Sequence, residues 1–347
     1  MANVFDYLKW RDDIPLETLN EVDVLIFNRL VYFPWEKIVN SNESITMCNA
    51  YQKCLTINNL KYAKQDFELL KALAISNRYK NLVVSNVVSK VDIKKETEFM
   101  AMTIHLPKNY LYIVFRGTSN ELMGWKESLN MYYKNIHSQI DALDYLNKTS
   151  LTKKIYIGGH SKGGHLAMHA AINTNRFIQN RIEKVFNYDG PGFLELSENY
   201  YKMSKKIISY LPSSSIVGRL LNINHQIVIV DTDKKGFISH NLYTWKVEKD
   251  HFIFTEFNKE SNLLKKVIDK FTLKVSKANR EKLINDIFDN IYKTGATNIK
   301  EINFSKLKDI LLSYRNLDDE SKDMLFTIIK LLYESTKENI KLQKEKQ

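Results

Sequence analysis

The apolar positions of this chain change rhythm along its length. Val22, Leu25, Ile26 and Leu30 recur near helical period, the spacing that aligns side chains on one face of a helix. Asn20 is placed to cap that helix, with Asp23 three residues on in a capping-box arrangement. Pro15 suits a first helical position. Leu69, Leu70, Leu73 and Ile75 predict a second helix over Phe67–Ile75. From Leu82 the pattern turns to strands: Leu82-Val83-Val84, then Phe99–Ile104 and Leu111–Phe115, the last two joined by a turn at Lys108-Asn109. Helices are expected over Trp125–Tyr133 and Ile140–Leu146. Ile155–Ile157 is a strand, 162–176 a helix, and Lys184–Tyr188, Lys206–Tyr210 and Gln226–Val230 are further strands.

Strands alternating with helices through the centre predict an α/β fold, doubly wound, with a mostly parallel central sheet flanked by helices. In such sheets sites form at the carboxyl ends of the strands. Beyond Phe257 the strand signal stops. Leu263–Leu273, Arg280–Lys293, Phe304–Ser313 and Asp318–Tyr333 are amphipathic and rich in Lys, Asp and Glu. Gly295 ends the second of these helices, and Lys337–Gln347 is expected to fray. The expected organisation is a main domain over 1–256, with a helical lead-in, and a C-terminal helical appendage over 257–347.

Composition narrows the class. A chain of 347 residues with 44% apolar and 26% charged side chains is globular. No apolar run is long enough to span a bilayer, and the N-terminal residues lack the basic-then-apolar order of a signal peptide. Cys48 and Cys54 are the only cysteines, too few for a disulfide framework. The set predicts a cytoplasmic protein. The net charge of +11 is spread along the chain: from Asn258 onward there are 19 Lys and Arg against 14 Asp and Glu. This favours a solvated lysine-rich surface, with peripheral contact to an anionic membrane as a lesser expectation and no nucleic-acid partner.

The densest chemical signal is Gly158-Gly159-His160-Ser161-Lys162-Gly163-Gly164-His165. Placed between a strand and a helix, Gly159–Gly163 fits the G-x-S-x-G nucleophile elbow. The G-x-x-x-x-G-K-[ST] order of a phosphate loop is not met. A serine nucleophile needs a base and an acid that orients the base, following it in the order Ser, acid, His. Of the histidines after Ser161, His240 alone comes late and after a strand end. His225 precedes a strand, and His251 opens an apolar stretch expected to be buried. His165 and His169 lie one helical turn apart without a third ligand, so a metal pair is not expected. Asp189 follows the strand after the nucleophile helix and is the favoured acid. Asp231, with Asp233 beside it, is the alternative. The N–H of Lys162 and that of Thr118 are candidate oxyanion donors, while Arg116 suits pairing with a buried carboxylate. No metal or cofactor is called for.

Phe115-Arg116-Gly117-Thr118 with Trp125, and the elbow itself, resemble the class 3 lipase branch of the α/β-hydrolases. The likeness is closer to the bacterial Mbeg-like family of α/β-hydrolases. It rests on Asn20-Glu21-Val22-Asp23, Asn187-Tyr188-Asp189-Gly190-Pro191-Gly192-Phe193, Pro212–Gly218 and Gly236–His240 with Trp245, and it covers roughly residues 1–250. The resemblance implies an α/β-hydrolase fold and a lipase- or esterase-like activity on a small-molecule or lipid ester. One position departs: Ser215 stands where class 3 lipases carry their acid. Asp189 would then supply it, as in pancreatic-type lipases, or the chain would be a non-catalytic binding or regulatory protein.

Overall fold

The computed structural model describes residues 2–149, 152–302 and 318–328. Eight strands form one sheet: β1 Ser44–Thr46, β2 Val83–Asp92, β3 Thr97–Leu106, β4 Tyr110–Phe115, β5 Lys154–His160, β6 Ile182–Tyr188, β7 Ile207–Pro212 and β8 Gln226–Val230. Their spatial order is their chain order. β1 to β4 pair antiparallel, and β4 to β8 pair parallel. The β3–β4 turn is the expected Lys108-Asn109, both residues at positive φ, the backbone that two-residue hairpins require.

Eleven helices between residues 4 and 292 surround the sheet: α1 Val4–Trp10, α2 Glu21–Leu30, α3 Met47–Thr56, α4 Lys64–Ile75, α5 Leu122–Asn130, α6 His137–Asn147, α7 Lys162–Asn173, α8 Arg176–Arg181, α9 Glu198–Met203, α10 Lys259–Lys274 and α11 Lys277–Tyr292. The expected capping box of α2 is present, with Asn20 accepting from Val22 and Asp23 N–H groups and Asp23 accepting from the Asn20 N–H. Pro15 starts no helix. It lies in an irregular stretch, where its carbonyl accepts a hydrogen bond from Arg78.

This is the α/β-hydrolase architecture, but the doubly wound expectation needs correction. Each parallel strand adds on the same side of its predecessor. Right-handed crossovers taken always in one direction leave their helices on one face. Accordingly α5 to α9 contribute to one buried cluster, with Leu129, Leu146, Leu166, Ile178 and Met203. The other face is covered by the N-terminal helices, through Tyr7, Leu25, Met47 and Leu70. Helices therefore flank both faces without any reversal of strand order.

The C-terminal helices share the first cluster. Ile268, Phe271, Leu283, Ile284, Ile287, Phe288 and Ile291 are buried in it. Seven such side chains contribute on the order of 10 kcal/mol, as much as a whole domain's net stability. Gly295 at φ +82° closes α11, where a side chain would be strained. Residues 319–328 are helical, burying Met324, Leu325 and Ile328. The expected helix Phe304–Ser313, the end of Asp318–Tyr333 and Lys337–Gln347 lie outside the described residues.

Candidate active site

β5 runs into Ser161, and α7 begins at Lys162. Ser161 sits at φ +58°, ψ −133°, a conformation that a non-glycine residue holds only when its surroundings force it. A β-carbon at Gly159 would fall 2.3 Å from the Gly163 backbone, so the turn closes only with glycine there. The Ser161 N–H donates to the Tyr188 carbonyl at 2.9 Å, and its own carbonyl accepts from Gly164 at 3.0 Å. Ser161 lines a cavity of about 1300 Å³ at the carboxyl ends of the parallel strands, together with Thr118, Lys162 and His240.

β6 ends at Tyr188 and delivers Asp189 at φ +48°, a region aspartate tolerates better than most residues. Asp189 is fully buried. Its Oδ2 lies 2.6 Å from His240 Nδ1. Its Oδ1 accepts from the Ser215 hydroxyl at 2.5 Å and from the Gly218 N–H at 3.0 Å. Three donors thus converge on this one carboxylate and fix its orientation. The carboxylate accepts, so His240 donates from Nδ1, and Nε2 is the basic nitrogen. His240 ends a helical turn over Gly236–His240, pinned where the Trp245 indole N–H donates to the Ser239 carbonyl at 3.0 Å. Neither the Ser161 hydroxyl nor His240 Nε2 is hydrogen-bonded to another described residue.

The structure therefore brings Ser161, Asp189 and His240 to one place and leaves the alternative acid out. Asp231 is held by Lys246 at 2.7 Å and caps the Thr232 N–H, while Asp233 is exposed. The Ser215 hydroxyl supports Asp189 from behind. His225 is bound at both ring nitrogens, by the hydroxyls of Tyr200 and Ser209. His251 is half-exposed rather than buried. His165 sits between Gln139 and the Gly192 carbonyl, stacked with His169 near Phe193. Burial pushes His165 down to about 4, and His169 to about 3 with help from its neighbour. Among the described residues no three His, Cys, Asp or Glu side chains cluster as a metal site would.

On the opposite side of the elbow, the Lys162 side chain is sealed away from the cavity. Its ammonium contacts Glu127 at 2.5 Å and the Glu98 carbonyl at 2.7 Å. Glu127 also accepts from Thr97 and from the N–H groups of Glu98 and Ser138. Burial raises its carboxyl, but Lys162 and these donors outweigh burial and hold it below the usual range. Only the main-chain N–H of Lys162, first in α7 and so without an intrahelical partner, is available to a ligand. The Thr118 hydroxyl is spent on Ser128 at 2.6 Å. Arg116 pairs with the buried Glu98 at 2.8 Å, as its pattern suggested. Two neighbours of the site carried no recognisable role in the sequence: His160, an interior position of the elbow motif, and Tyr32, at the end of the α2 segment.

No curated protein matches the chain. Among solved structures, similarity is found to M37 lipase at 15% identity, covering 59% of this chain and 70% of that one, with a TM-score of 0.35. It is also found to a fungal lipase at 11% identity, covering 71% and 92%, with a TM-score of 0.40. The model of the Mbeg1-like family matches residues 73–289, a span that holds the elbow, Asp189, Ser215 and His240. That is more than half of the sequence, and the chain belongs to the Mbeg1-like family.

Proposed function

We propose that the protein is a serine hydrolase of carboxylic esters, lipase- or esterase-like, working through an acyl-enzyme. The observation that carries this reading is the Asp189–His240 bond of 2.6 Å beside a serine held at a strained elbow, with Ser161 and His240 on the wall of one cavity. Ser161 Oγ attacks the acyl carbonyl, and His240 Nε2 takes the hydroxyl proton. Asp189 keeps the Nδ1–H tautomer and stabilises the imidazolium. The N–H groups of Lys162 and Thr118 receive the oxyanion, aided by the positive end of α7. His240 then returns the proton to the leaving alcohol, and water repeats the sequence on the acyl-enzyme. Trp125, Leu129, Met131, Val217, Leu220 and Phe237 line the cavity and offer an apolar surface to an acyl chain. The serine at 215 does not weaken the reading, because its hydroxyl donates to the carboxylate that takes over the acid's role.

The test is labelling of the full-length protein with a fluorophosphonate probe. Labelling is expected in the wild type and none in Ser161→Ala. His240→Ala and Asp189→Asn should slow labelling by about 10³-fold or more. A folded wild type that never labels would favour a binding protein built on this fold.

A further inference from the structure

His160 is next to Ser161 in sequence and against His240 in space. The two imidazoles lie 4.3 Å apart between centroids, inclined by 36°. His160 Nε2 is 2.8 Å from the His240 main-chain carbonyl. A carbonyl only accepts, so Nε2 carries the proton, and Nδ1 accepts from the Tyr32 hydroxyl at 3.0 Å. Both nitrogens are thus engaged, and the ring is 5% exposed.

Tyr32 is itself held. The Arg29 guanidinium lies 4.6 Å over its ring, and Arg29 is fixed by two bonds to Asp66, at 2.7 and 2.8 Å. The Tyr32 hydroxyl also sits tightly beside the oxyanion-side strand end, 2.2 Å from where a β-carbon on Gly117 would stand. A chain of contacts therefore runs from Asp66 through Arg29 and Tyr32 to His160, and from there to the backbone of His240.

We propose that His160 is a positioning residue for the general base: by donating to the His240 carbonyl and packing on its ring, it sets where His240 Nε2 stands relative to Ser161. The proposal rests on the hydrolase reading above. Its physical sense lies in the chain path. Ser161 is anchored on a buried central strand, whereas His240 ends a short turn 79 residues later. The Asp189 bond orients the imidazole and the Trp245 bond holds the turn at Ser239, but neither engages the His240 carbonyl itself. The His160 bond joins that main chain to the residue preceding the nucleophile, so the two reacting groups share one frame. Burial, and after it the nearness of His240 and Arg29, keeps His160 neutral. It therefore adds no second positive charge when His240 takes up a proton.

The experiment compares full-length wild type with His160→Phe, His160→Gln and Tyr32→Phe in two readouts. One is kcat and KM on a p-nitrophenyl ester. The other is the downfield proton resonance of His240 Nδ1–H. His160→Phe keeps a ring but no donor, and kcat is expected to fall about 10- to 100-fold with KM within about twofold, the signature of misplacement rather than lost binding. The Nδ1–H resonance should broaden or disappear with it. His160→Gln, whose amide N–H can reach the same carbonyl, should recover most of both. Tyr32→Phe removes one hydroxyl and should cost about three- to tenfold in kcat, which keeps the test informative even if His160→Phe fails to fold.

A His160→Phe protein with unchanged kcat and resonance overturns the proposal while leaving the hydrolase reading intact. So does a His160→Gln protein no better than the phenylalanine variant, since shape alone would then explain the loss. A wild type that turns over no ester, yet whose resonance depends on His160, would sink the hydrolase reading and uphold the placement of the imidazole.

Discussion

Two buried carboxylates flank the elbow, and they differ in what their partners have left to give. Asp189 and Glu127 are each almost wholly buried and each accept several hydrogen bonds. Each faces one basic side chain. Lys162, the partner of Glu127, spends its ammonium on Glu127 and the Glu98 carbonyl and is fully sealed. His240, the partner of Asp189, commits one nitrogen and retains the other at a cavity wall. Burial and charge pairing alone therefore do not mark a reactive group. The distinguishing property is a partner with unspent valence at a solvent-accessible face.

This contrast can be broken by exchanging the damage between the two sites. Asp189→Asn should cost about 10³- to 10⁴-fold in ester turnover with a modest change in melting temperature. Glu127→Gln should do the reverse: unfolding free energy falls by about 3–5 kcal/mol, because Lys162 is left buried without its counter-charge, while turnover measured below the new melting point stays within about tenfold of wild type. Equal loss of stability in both variants would remove the distinction.

The role of Ser215 sharpens the Asp189 side. Ser215→Ala deletes one of three donors to a carboxylate, worth about 1–2 kcal/mol, so turnover should drop about tenfold. Ser215→Asp sets a second carboxylate against Asp189 and should be worse than alanine. Alanine and wild type with equal kcat would show that Ser215 gives Asp189 no support.

The smallest effect concerns two histidines that burial pushes down. His165 and His169 are held near 4 and 3 in the folded protein, against 6.5 for a free imidazole. The unfolded chain therefore binds more protons below pH 6.5, and stability falls as pH drops from about 6.5 toward 4. A His165→Gln/His169→Gln variant should show a flatter urea-unfolding profile over that window. An unchanged slope would place the acid sensitivity elsewhere.

Much of the site could be seen in the chain because its signals are local. The glycines around Ser161 are dictated by the turn's own backbone, and the Asn20–Asp23 capping box is complete within four residues. Asp189 and His240 could be placed because both follow apolar strands in the expected order. What escaped notice depends on contacts made at a distance. Tyr32 meets a residue 128 positions away, and nothing beside it in sequence hints at that. The helices Val4–Trp10 and Glu198–Met203 and the three-residue strand Ser44–Thr46 are too short for a periodic pattern to emerge above background. The winding of the sheet is not legible in the sequence, because a strand's neighbours are chosen by tertiary packing, which alternation alone does not specify.

The order of the sheet also bears on how the molecule is made. Since spatial and chain order coincide in the eight-stranded sheet, each of its strands after the first leaves the ribosome to find its partner already synthesised at the growing edge. None has to be inserted between two strands that have already paired. Long-range pairing, the slow step in many sheet proteins, is reduced to successive short closures. The turn at Ser161 can form before Asp189 and His240 exist as polypeptide. A late closure joins residues far apart in the sequence, where the Val247 N–H donates to the Ala2 carbonyl at 3.1 Å. The grouping of Ser161, Asp189 and His240 is therefore completed late in synthesis, with His240 and the turn that carries it.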